Sequence, residues 1–82
     1  MVKIDFDDKF KNTLFKIKDI SVKERIEKQI LKIANNPEVG KPMRYNRKGT
    51  REVYIGSHRL SYAYIKDRDT IKILDFYHKD EQ

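Results

Sequence analysis

Residues 52–76 carry three apolar-rich segments separated by two short polar breaks: Glu52-Val53-Tyr54-Ile55, then Arg59-Leu60-Ser61-Tyr62-Ala63-Tyr64-Ile65, then Thr70-Ile71-Lys72-Ile73-Leu74-Asp75-Phe76. Gly56-Ser57 fills the first break as a tight turn, and Lys66-Asp67-Arg68-Asp69 fills the second. Connections this short join neighbouring strands antiparallel, so the stretch reads as a meander. Side chains alternate between the two faces of a strand. Val53, Ile55, Leu60, Tyr62, Ile71 and Ile73 are expected on a covered face. Glu52, Tyr54, Arg59, Ser61, Ala63, Lys72, Leu74 and Phe76 are expected on the opposite one.

Working back from this meander, Pro42 to Arg47 reads as an irregular or edge strand and Lys48-Gly49 as a turn. The period then changes. Ile26, Ile30, Ile33 and Ala34 recur at helical spacing, and Asn35-Asn36-Pro37 ends that helix because proline cannot continue it. Ser21-Val22-Lys23-Glu24 matches a capping box at its start. Phe10, Leu14 and Ile17 form the stripe of an earlier helix, capped by Asp7 or Asp8 and running to about Lys18. Val2-Lys3-Ile4-Asp5-Phe6 alternates as a first strand. The expected fold class is α+β, with an N-terminal strand and a helical hairpin packed on an antiparallel twisted sheet. The hairpin covers one face and leaves the other for function.

The 82 residues are expected to form one domain, 1–82. Lysine and arginine number 19 against 13 aspartates and glutamates, a formal charge of +6. Such an excess suits a polyanion or an acidic protein, although a lysine-rich solvated surface gives the same count. There is no cysteine, which excludes disulfides and thiolate metal sites and fits a cytoplasmic protein. No apolar run reaches membrane-spanning length, and the first residues have no signal-peptide core. Neither a glycine-rich phosphate loop nor a Ser/His/Asp set is present.

From Asn36 onward the order of features resembles the RelE/ParE toxin superfamily, including its RelE and YoeB branches. Asn36-Pro37 closes the second helix and Gly40-Lys41-Pro42 follows. Gly56-Ser57-His58-Arg59-Leu60-Ser61-Tyr62 then forms the Gly-x-x-Arg-x-x-Tyr hairpin, and the last strand leads into Tyr77-His78-Lys79. The resemblance implies a RelE-like toxin of a type II toxin–antitoxin system. RelE-like members cleave messenger RNA in the ribosomal A site without metal or cofactor, by attack of the 2′-hydroxyl on the neighbouring phosphate. A cognate RelB-like antitoxin with an amphipathic helix silences them. ParE-like members instead inhibit DNA gyrase without catalysis, and a degenerate member that binds only its antitoxin is a third outcome.

Residue by residue, Arg59 matches the hairpin arginine and is expected to hold the scissile phosphate. The competing role is an ion pair with a strand-end carboxylate. His78 stands where YoeB-like members carry a C-terminal histidine, a residue suited to protonating the leaving 5′-oxygen. Lys79 stands at a RelE-like arginine and supplies positive charge without a bidentate fork. Glu52 is a candidate general base if it faces the cleft, although strand carboxylates are more often exposed or paired. Lys41, Arg44, Arg47, Lys48 and Arg51 form a basic run suited to phosphate-backbone contact. Alternation points Arg51 to the covered face unless a bulge intervenes. Tyr77 is the candidate replacement for a tyrosine that RelE-like members carry in a C-terminal extension. The chain departs from the family at Met43, where YoeB-like members have a glutamate. It departs again at Glu52 and Tyr54, where RelE-like members have lysines.

Overall fold

The computed structural model describes residues 2–43 and 49–81. The elements run β1 (Lys3–Phe6), α1 (Asp8–Lys16), α2 (Ile20–Asn35), β2 (Lys41–Pro42), β3 (Thr50–Ile55), β4 (His58–Ile65) and β5 (Thr70–His78). A 3₁₀ turn over Lys66–Arg68 joins β4 to β5, and another over Lys79–Glu81 follows β5. The sheet order is β1-β5-β4-β3-β2. Strands β2 to β5 form the expected antiparallel meander. β1, however, pairs with β5 in parallel, Ile4 opposite Ile71, so the sheet is mixed. That pairing joins the two ends of the chain, and no local pattern encodes its direction. Of the expected strand over 42–47, only the pairing at Lys41–Pro42 lies among the described residues.

Each helix starts on an aspartate. The Asp7 side chain accepts the Lys9 N–H at 3.1 Å, and the Asp19 side chain accepts the Ser21 N–H at 2.9 Å. The second contact corrects the expected capping box: Ser21 sits inside α2 and Asp19 is the cap. A carboxylate is the better acceptor at a helix N-terminus, where the dipole favours negative charge.

The core forms where the helix stripes meet the covered face. Phe10, Ile26 and Ile33 pack with Val53, Ile55, Leu60, Tyr62, Ile71 and Ile73, as alternation predicts. Phe76 is the exception to that alternation. Expected on the open face, it is buried in the core. The cause is a bulge in β5: Tyr62 pairs with Ile73 but Ser61 pairs with Asp75, which leaves Leu74 unpaired. One extra residue inverts the facing of everything after it.

Tyr62 closes the core at the end of α2. Its hydroxyl donates to the Pro37 carbonyl and accepts the Gly40 N–H, both at 2.8 Å. Burial raises its pKa above the ordinary tyrosine value. Just beyond β4, Asp69 adopts a left-handed conformation with φ 45° and its carboxylate accepts the Tyr64 hydroxyl at 3.0 Å.

Candidate functional site on the open sheet face

The two-residue Gly56-Ser57 turn fixes the β3–β4 register. Ile55 falls opposite His58, Tyr54 opposite Arg59, and Glu52 opposite Ser61. Gly56 has φ 59°, the left-handed geometry that the turn demands and glycine supplies without strain. Directly opposed residues share a face. Arg59 and Tyr54 therefore meet away from the helices, with the guanidinium carbon 3.8 Å from the Tyr54 ring centroid. The same guanidinium donates through Nη1 to the His58 carbonyl at 3.0 Å and the Gly56 carbonyl at 3.3 Å. No carboxylate of the described residues lies within ion-pair range of Arg59. Ring and carbonyls hold the cation in place, and no described carboxylate offsets its charge.

Beside it, the Tyr77 hydroxyl donates to Glu52 Oε2 at 3.1 Å. Tyr77 lies opposite Arg59 on β5, and Glu52 lies two strands away on β3. The contact crosses β4 near Ser61, whose small side chain leaves the space for it. Arg59, Tyr54, Glu52 and Tyr77 thus form one constellation: a fixed cation, an aromatic platform, and a carboxylate oriented by a phenol.

His78 is not part of it. It pairs with His58, which pairs with Ile55 of the core. The His58 ring stacks on Phe76 at 4.8 Å and meets the His78 ring edge-on at 5.3 Å. Both imidazoles line a cavity of about 460 Å³ against α1, with Lys9, Thr13 and Lys16. The sheet therefore separates His78 from Arg59. Its Nδ1 accepts the Asp80 backbone N–H at 3.2 Å, which helps shape the turn after β5. Lys79 opens that turn, exposed, its backbone N–H donating to the Ser57 carbonyl at 2.9 Å beside the hairpin.

The basic run divides as well. Arg51 faces the helix side, as alternation predicts, and its Nη1 donates to the carbonyls of Glu38 at 3.1 Å and Gly40 at 2.8 Å. It pins the loop after α2. Lys41 is exposed on β2. Arg44, Arg47 and Lys48 lie outside the described residues. Among the described residues, no group of His, Asp and Glu is arranged to hold a metal. No described helix is long and apolar enough to cross a membrane.

Sequence reading overlooked Tyr54 as the platform for Arg59. The signal was present: counting outward from a two-residue turn places these two residues opposite each other.

A family model described as ParE toxin of type II toxin–antitoxin system, parDE, matches residues 4–82. No curated protein matches the sequence at a significant level. Among solved structures, the fold is similar to that of a chain of the intact Escherichia coli RelBE toxin–antitoxin complex, with TM-score 0.81, 16% identity, and 95% of this chain and 96% of that chain covered. It is similar to the YoeB/ParE toxin from Agrobacterium tumefaciens, with TM-score 0.83, 14% identity, and 94% and 98% covered. A chain of the RelBE2 toxin–antitoxin complex from Mycobacterium tuberculosis matches with TM-score 0.73, 25% identity, and 94% and 96% covered.

Proposed function

From the premise that the chain belongs to the ParE toxin family of type II toxin–antitoxin systems, we propose that this toxin cleaves messenger RNA in the ribosomal A site through its open sheet face. The observation that carries the reading is the constellation itself: Arg59 fixed over Tyr54 without a carboxylate partner among the described residues, beside a carboxylate held by Tyr77. A carboxylate and a guanidinium on one face can supply two of the roles in transesterification of RNA, a general base and a donor to the phosphoryl oxygens.

In the proposed reaction Glu52 accepts the proton of the 2′-hydroxyl. The 2′-oxygen forms a bond to phosphorus and the bond from phosphorus to the 5′-oxygen breaks. The products are a 2′,3′-cyclic phosphate and a 5′-hydroxyl, whose proton comes from water. Arg59 offsets the charge that grows on the phosphoryl oxygens, where preorganised donors contribute most. Tyr77 orients Glu52, and Lys79 adds positive charge at the hairpin end. Lys41 contacts the backbone of the message. The ribosome presents that message, and an antitoxin with an acidic or amphipathic helical segment silences the toxin. The toxin–antitoxin complexes of the Escherichia coli and Mycobacterium tuberculosis proteins support the presence of an antitoxin partner.

The test is to incubate the protein with a defined messenger RNA, with and without translating ribosomes, and map ends by primer extension. Cleavage only with ribosomes, lost in Arg59→Ala, is the expected result. No cleavage with active ribosomes, together with inhibition of gyrase supercoiling, would replace this reading by the ParE-like one.

A further inference from the structure

β2 covers only part of its neighbour. Lys41 pairs with Glu52 and Pro42 with Arg51, so among the described residues the outer edge of β3 beyond Glu52 has no strand beside it. α2 runs alongside that edge and leaves a notch of about 460 Å³. Gln29 and Lys32 line it from α2, Lys41 from β2 and Tyr54 from β3, over a floor of Val39 and Val53. Glu52 also lines it, with its carboxylate accepting the Tyr77 hydroxyl.

The backbone in this notch points outward. The Thr50 carbonyl accepts the Met43 N–H at 3.0 Å across the same edge. Strand backbone alternates with a period of two, so the N–H and C=O of Tyr54 point the same way. They present one donor and one acceptor beside an apolar floor.

The notch is also continuous with the open face. Tyr54 is 51% exposed, carries Arg59 on its ring and lines the notch. Arg25, Gln29 and Lys32 stand one turn apart on α2 and share a stripe. A guanidinium nitrogen of Arg25 lies 3.2 Å from where a Cβ on Gly56 would stand. The carbonyl of that same residue accepts Arg59. None of Arg25, Lys32 and Lys41 has a carboxylate of the described residues within ion-pair range. A row of cations without a carboxylate partner among the described residues therefore leads from Arg59 over the hairpin turn to the notch.

We propose that the notch is a nucleotide subsite for single-stranded RNA, taking the nucleotide next to the phosphate that Arg59 holds. The inference rests on the reading of the open face as an RNA site. The base lies on Val39 and Val53 and meets the Tyr54 backbone and the Gln29 amide with its polar edge. Lys32 and Lys41 hold the adjoining phosphate. A flat ring with hydrogen-bonding edges and a flanking anion matches an apolar floor, a donor–acceptor pair and a cationic rim. A partner strand fits less well, because the free edge is three residues long and ends against β2.

The test measures RNA binding separately from cleavage. A short fluorescein-labelled single-stranded RNA is titrated at low salt against the intact protein, Lys32→Glu and Lys3→Glu. Lys3 lies on β1, at the far edge of the sheet, and its substitution changes net charge equally. Lys32→Glu is expected to weaken binding about tenfold and Lys3→Glu less than about twofold, since a local phosphate contact is lost only in the first. RNA substituted with 5-bromouracil is expected to crosslink at the notch residues Gln29, Val39 or Tyr54, mapped by mass spectrometry after reaction with the folded intact protein. Equal weakening by both substitutions, no binding by the intact protein, or crosslinks only elsewhere would overturn the subsite. So would protection of the Tyr54 amide from hydrogen exchange by a bound antitoxin but not by RNA. If ribosome-dependent cleavage is absent yet Lys32→Glu selectively loses RNA, the subsite stands and the nuclease reading falls. If cleavage occurs and the two substitutions behave alike, the reverse holds.

Discussion

The Tyr62 hydroxyl lies 2.6 Å from the point where a Cβ on Gly40 would stand, and it accepts the Gly40 N–H at 2.8 Å. The two residues are 22 positions apart, and each explains the other. Glycine is needed at position 40 because the tyrosine ring fills the space of a side chain. Tyrosine is needed at position 62 because its hydroxyl satisfies a buried N–H and the Pro37 carbonyl together. Between them they anchor the loop that leads from α2 to β2, and hence the position of Lys41. Arg51 reinforces the anchor through the Gly40 carbonyl.

Gly40→Ala is expected to destabilise the fold by roughly 1–3 kcal/mol, the range for overpacking a well-filled interior. Tyr62→Phe is expected to cost a similar amount, about 1–3 kcal/mol, by leaving the buried Gly40 N–H without an acceptor. Removing the hydroxyl should not rescue the alanine, because the ring carbon Cε1 is itself 2.7 Å from the same point. Urea denaturation of the two single variants and the double variant checks all three statements. A double variant more stable than Gly40→Ala alone would contradict this account.

The same tyrosine sets an alkaline limit. Burial raises its folded pKa, since the phenolate would lose hydration. A raised folded value means that the native state holds the proton more tightly than the unfolded chain. Its contribution is therefore fully present below the unfolded tyrosine value near 10.0 and is lost as pH rises through the raised folded value. Stability measured by urea should fall above about pH 10 in the natural protein, and less steeply in Tyr62→Phe. Equal slopes would show that Tyr62 does not carry the effect.

Much of the open face was legible in the sequence. A two-residue turn fixes register by counting, so Gly56-Ser57 sets Tyr54 against Arg59 and predicts the facing of Glu52 and Arg51. Phe76 and His78 were not legible, because the bulge at Leu74 shifts register without a sequence mark such as glycine. The parallel pairing of β1 with β5 was not legible either, since it depends on how the two ends of the chain meet. The α2 cap was misassigned because Asp19 and Ser21 both suit the position, and local pattern favoured the serine with a glutamate three residues on. The notch was invisible to pattern reading, because it arises where one strand stops short of its neighbour.

The separation of His78 from Arg59 gives a sharp expectation for activity. Arg59→Ala should lower ribosome-dependent cleavage by about 100- to 1,000-fold, the loss typical of removing a preorganised transition-state donor. Arg59→Lys should recover little, because an ammonium makes neither the same fork of hydrogen bonds nor the same stack on Tyr54. Tyr54→Leu should weaken cleavage as well, through a freer guanidinium, while stability changes by no more than about 1 kcal/mol. His78→Ala should keep activity within about threefold of the natural protein, because the imidazole lies across the sheet from Arg59 and makes no transition-state contact there. Single-turnover cleavage rates on programmed ribosomes separate these cases. A loss in His78→Ala as large as that in Arg59→Ala would place the histidine in the reaction and reject the facing argument.

The contact between Tyr77 and Glu52 leads to a test of coupling. If Glu52 is the base and Tyr77 orients it, Glu52→Gln should reduce the cleavage rate by about 100- to 10,000-fold, the range for a general base. Tyr77→Phe should cost less, about tenfold, since the carboxylate remains but loses a hydrogen bond that fixes its direction. Residues that act as a unit are not additive, so the double variant should be no slower than Glu52→Gln alone. Substrate binding should change little in Tyr77→Phe, which separates an orienting role from a binding one. Additive losses in the double variant would mean that Tyr77 acts on the RNA directly. The phenol would then stand beside the carboxylate as an independent contact, and the hydrogen bond at 3.1 Å would serve the fold.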